Sequence, residues 1–122
     1  MRNLLTFLTL SLFILFCLNF TATAGDEDAK KFEQYRQAIK KEFKIDIAKF
    51  KERLKGGKAD GKKITKYDLN QLLMGIKVEL EHTNDKMTAL EIATDHLEEF
   101  PDYYTRLLKM EEEAEKELKQ KK

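Results

Sequence analysis

The chain has 122 residues, 23 Lys and Arg against 22 Asp and Glu, 42% hydrophobic residues, a single cysteine and a single proline. That length allows one domain with a small core. One cysteine excludes an internal disulfide framework, and the balanced charge with no nucleic-acid motif argues against a nucleic-acid-binding chain.

The N-terminus reads "MRNLLTFLTLSLFILFCLNFTATAG". Arg2 precedes an uncharged apolar run from Leu4 to Phe20, and Ala22-Thr23-Ala24 follows it. A basic n-region, an apolar h-region and an A-x-A site make a secretory signal peptide over residues 1–24, cut after Ala24. The alternative is an uncleaved leader that anchors the chain, since the run approaches the length of about 20 residues that spans a bilayer. Cleavage leaves no cysteine and no serine, because Cys17 and Ser11 are both in the leader. The expected location is secreted or periplasmic, with no transmembrane segment after leader removal.

Charge is unevenly placed beyond the leader. Gly25 to Lys66 carries 14 basic against 8 acidic residues, and Tyr67 to Lys122 carries 8 against 14. Either the basic half meets an anionic surface, or it lies against the acidic half of its own chain. The second is the simpler expectation.

Abundant Lys, Glu, Leu and Ala favour helix throughout. Phe32, Tyr35, Ile39, Phe43, Ile47, Phe50 and Leu54 recur at steps of three and four, which predicts one long amphipathic basic helix within residues 25–55, from about Asp28 to Lys55. "GGKADGKK", residues 56–63, breaks it. Thr65 and Asp68 resemble a capping box before the face Leu69, Leu72, Leu73, Ile76 and Leu80. Thr83, Asn84 and Asp85 offer caps for a third helix with Met87, Leu90, Ala93, Leu97 and Phe100 inward. Pro101 suits the first turn of a fourth helix carrying Tyr104, Leu107, Leu108, Met110, Ala114 and Leu118. The charged tail is expected to fray. The fold class is all-α, a small bundle of about four helices in which residues 64–122 form a three-helix unit.

Both histidines sit among carboxylates. Glu79 and His82 are three apart, as are His96 and Glu99, and residues three apart share a helix face. The four form a candidate site for a divalent transition metal such as zinc, manganese or iron. A 100° step, however, turns His82 away from the Ile76–Leu80 face and leaves His96 at the core boundary. Two ordinary helix faces are therefore the stronger expectation. Glu81, Asp95, Tyr103 and Tyr104 complete a candidate binding surface, with Tyr104 on the core stripe and Tyr103 available as a surface anchor. No nucleophile of the usual kind survives leader removal, and no phosphate loop is present, so an enzyme is the less expected class.

"LLMGIKVELEHTND" followed by "ALEIATDHLEEFPDYYTRLLKMEEEAE" resembles a family of short all-helical domains of unknown function found in bacterial and phage proteins. The shared pattern is G-x-x-V-E-x-E-H, then I-A-x-D-H-L-x-E-x-P-x-Y-Y. It spans about Ile64 to Glu115, with the leader and the long basic helix outside it. The resemblance directs attention to Gly75, Glu79, Glu81, His82, Asp95, His96, Glu99, Pro101, Tyr103 and Tyr104, and implies no activity. The function expected is a non-catalytic interaction module for a protein partner or an anionic surface; the alternative is a metal-binding helical protein.

Overall fold

The computed structural model describes residues 23–121, so nearly all of the expected leader lies outside the described residues. Among these, the chain forms α1 (Ala24–Phe43), α2 (Leu69–Glu79), α3 (Lys86–Glu99) and α4 (Tyr103–Gln120). Single 3-10 turns at Ile47–Lys49 and Ile64–Lys66 punctuate the long connection between α1 and α2. No strand occurs among the described residues, and none of their helices is long and apolar enough to cross a membrane. The fold is the small all-α bundle that composition predicts.

Helix α1 is shorter than its apolar spacing predicts, ending at Phe43 rather than Lys55. Lys44 turns left-handed (φ 61°) and its amide closes back on the Lys40 carbonyl at 3.0 Å. Asp46 then takes a two-pronged bond from Arg36, with Nε at 2.7 Å and Nη2 at 2.8 Å, and accepts the Ala48 amide at 3.0 Å. This fork fixes a sharp turn where continued helix would carry Asp46 away from Arg36. The turn still brings Ile47 into the core and leaves Phe50 half-buried. The helical spacing therefore persists in the sequence although the helix does not. Leu54, last of the expected stripe, is exposed.

The remaining helices begin close to where their signals lie. Asp68, rather than Thr65, caps α2 by accepting the Gln71 amide at 3.0 Å. Asp85 caps α3 through the Thr88 amide at 2.7 Å. Pro101 sits in the turn before α4 instead of its first turn. The tail does not fray as expected: α4 continues to Gln120, with Glu112–Lys116 and Glu115–Lys119 pairs along it.

One core joins the elements. Ile39, Leu72, Ile76, Leu90, Ala93 and Tyr104 are fully buried, and α2 with α3 makes the most extensive helix contact. Each large aliphatic side chain buried this way contributes roughly 1.5–3 kcal/mol. Helix α1 is tied in by the Tyr35 hydroxyl, which donates to the Tyr67 carbonyl at 2.7 Å, and by Lys86, which reaches the Phe43 carbonyl at 2.8 Å.

Candidate functional site

Tyr104 organises the polar centre. Along α2, Gln71, Gly75 and Glu79 recur every fourth residue and so form one column. Tyr104 lies along that column from backbone to hydroxyl. Its amide donates to Gln71 Oε1 at 3.2 Å, its ring crosses Gly75, and its hydroxyl donates to Glu79 Oε1 at 2.7 Å. Gln71 Nε2 in turn donates to Thr105 Oγ1 at 2.6 Å. Burial, and then the bond to Glu79, raises the Tyr104 pKa far above its ordinary value, so the hydroxyl stays a donor.

His96 joins the same carboxylate from α3. Its Nδ1 lies 3.1 Å from Glu79 Oε1 and 3.1 Å from the Tyr104 oxygen. Tyr103 stacks on the imidazole, with centroids 4.4 Å apart and planes 11° from parallel, and meets Tyr104 edge-on at 5.1 Å. The two adjacent tyrosines therefore clamp one histidine, Tyr103 by its face and Tyr104 by its hydroxyl.

Of the four candidate metal ligands, the structure brings Glu79 and His96 together. Glu99 is instead paired with Lys58, which holds its carboxyl below the ordinary range. His82 is exposed in the turn after α2. Among the described residues, no three His, Cys, Asp or Glu side chains converge in a way that could hold a metal ion. Of the candidate binding surface, Tyr104 is fully buried, Tyr103 is half-buried against His96, and Glu81 is exposed.

Asp95 belongs to a second constellation, which motif spacing does not reveal. Glu91, Asp95 and Glu98 form a row along α3 that receives the basic connection. The buried Glu91 carboxylate accepts the Arg53 amide at 3.0 Å and the Leu54 amide at 2.8 Å. Asp95 accepts the Ala59 amide at 2.8 Å, and a Cβ on Gly57 would stand 2.5 Å from its Oδ2. Glu98 binds Lys62, Lys66 and the Tyr67 hydroxyl, and these donors hold its carboxyl near pKa 2. Arg53 pairs with Asp85 at 2.8 Å. Much of the basic half thus lies on the acidic half of the same chain, and that charge asymmetry was the only sequence signal of this docking.

Apolar side chains also reach the surface along α4. A groove of about 250 Å³ between Phe100, Tyr103, Arg106, Leu107 and Met110 runs along α4 at the edge of the core. Phe100 is 53% exposed, Met110 58% and Leu118 62%. Tyr104 is the sole buried residue of that helix.

A protein-family model matches residues 28–113. The chain belongs to DUF5661, a family described as proteins of unknown function. The DUF5661 match starts inside α1 and ends inside α4, so the N-terminal helix is part of the family's unit, although the motif words span only Ile64 to Glu115. The Gly75, Glu79, His96 and Tyr104 cluster lies within it. No curated protein and no solved structure matches the chain.

Proposed function

We propose that this DUF5661 protein is a secreted or periplasmic, non-catalytic interaction module that binds a protein partner through the exposed apolar edge of α4. The observation that carries this reading is the exposure of Phe100, Met110 and Leu118 on a chain that has few large apolar residues to spare. The interior polar groups support it from the other side. Glu79 is engaged by Tyr104 and His96, and Glu91 by two backbone amides, so these buried acids serve packing. Secretion rests on the leader pattern alone.

A photo-crosslinking residue at Met110, in the full chain expressed in its source cell, tests the reading. The expected result is a discrete adduct from Met110 and none from Lys116, on the opposite side of α4. The protein is recovered outside the cytoplasm, with a sequenced N-terminus at Gly25. Equal labelling from both positions removes the assigned face, and an intact Met1 start removes cleavage.

A further inference from the structure

Resting on the reading of α4 as the binding face, we infer that its partner is a second copy of this chain, joined by antiparallel pairing of the two α4 helices. Tyr103, Leu107, Met110, Ala114 and Leu118 fall within an arc of about 80° at 3.6 residues per turn, a continuous stripe about 22 Å long. Met110 sits at its midpoint. Tyr103 and Leu107 are half-buried at the start of the stripe, where they border the core, and every residue from Leu108 to Lys121 is exposed.

Charge beside the stripe selects both the partner and its direction. Arg106, Glu113 and Glu117 line one edge, while the Glu112–Lys116 and Glu115–Lys119 pairs turn away from it. Arg106 is held by Asp102 at 2.8 Å yet keeps 68% of its side chain exposed. Glu113 is in no ion pair among the described residues. A parallel pair would set the Arg106–Glu113 edge against the opposite, Glu111 edge of the second copy and give Glu113 no cation. An antiparallel pair centred beside Met110 sets Tyr103 against Leu118, Leu107 against Ala114, and Arg106 between Glu113 and Glu117 of the second copy. Two-fold symmetry repeats each contact, so the face complements itself. Glu111 approaches its own copy on the opposite edge, a like-charge contact that limits affinity and favours a reversible dimer.

Sedimentation equilibrium of protein recovered from full-chain expression, in a Cys17→Ser background, tests the pairing. A concentration-dependent monomer–dimer equilibrium is expected, weakened about tenfold by Arg106→Glu and restored by adding Glu113→Arg. Met110→Cys should form a disulfide-linked dimer on oxidation, and Lys116→Cys should not. A dimer indifferent to the charge reversal, or crosslinked equally at Lys116, overturns the α4 pairing. A monomer at every concentration also overturns it. If Met110 in that monomer still crosslinks to another protein in cells, α4 remains the binding face and only the second copy is lost. If it crosslinks to nothing, both readings fall.

Discussion

The ring of Tyr104 fills the space that a side chain at Gly75 would need. A Cβ there would lie 2.4 Å from Tyr104 Cε2 and 2.8 Å from the Ala93 Cβ. Helices α2, α3 and α4 thus meet at one hydrogen atom. Gly75→Ala gains about 1 kcal/mol of helix propensity. The overlap involves a fully buried ring that has no free space to enter, and overpacking of this kind costs about 1–3 kcal/mol, often more. A lower urea midpoint is expected for Gly75→Ala, and a raised midpoint would refute the fit.

Tyr104→Phe keeps the ring and deletes the donor to Glu79. Glu79 is 6% exposed, and its carboxylate retains only His96 as a partner. Leaving such an acceptor partly unsatisfied costs about 1–3 kcal/mol. Glu79→Gln, which still offers an oxygen to the hydroxyl, should cost less. Urea unfolding of the two variants side by side checks the order.

Glu91→Ala should loosen the connection more than the core. Two amides, those of Arg53 and Leu54, lose their acceptor, while the apolar contacts of Leu90 and Ala93 are unchanged. Hydrogen exchange at Arg53 and Leu54 is expected to accelerate well beyond that at Leu72 or Ile76. Uniform acceleration would instead mark Glu91 as a global support.

Acid should undo the contact of Glu98. Its carboxyl is drawn from 4.5 to about 2, chiefly by Lys62 and then by Lys66 and Tyr67. A lowered folded pKa means the stabilisation is complete above pH 4.5 and disappears as pH falls towards about 2. Glu98→Gln should therefore be less stable than the parent at neutral pH and show a shallower loss of stability across that interval. Urea unfolding between pH 6 and pH 2 measures the slopes.

Chelator is expected to leave the melting temperature unchanged, since Glu99 is occupied by Lys58 and His82 is exposed. Thermal unfolding with EDTA, and then with zinc, manganese or iron(II), gives the comparison. A chelator-induced drop that His96→Ala abolishes would assign a metal to the Glu79–His96 pair.

Much of this architecture is legible before folding is considered. Lys, Glu, Leu and Ala content makes the chain helical, and the spacing of Leu72, Ile76, Leu90, Ala93 and Leu97 marks inward faces that are all buried. The 100° step also places His96 at the boundary, as found, whereas His82 is exposed in the turn beyond the end of α2, where that step no longer applies. Local signals fail at Lys44, because apolar period cannot register a fork between Arg36 and Asp46 ten residues apart.

The polar interior belongs to tertiary structure. Gln71, Gly75 and Glu79 share a column on α2 with no apolar character, so hydrophobic pattern assigns it to solvent. Tyr104, twenty-five residues beyond Glu79, arrives from another helix and makes that column an inside surface. Glu91 likewise becomes buried only when the connection lays the Arg53 and Leu54 amides on it. Apolar burial is additive and can be read residue by residue, whereas a buried carboxylate is stable only with its particular donors, and those donors are set by the fold.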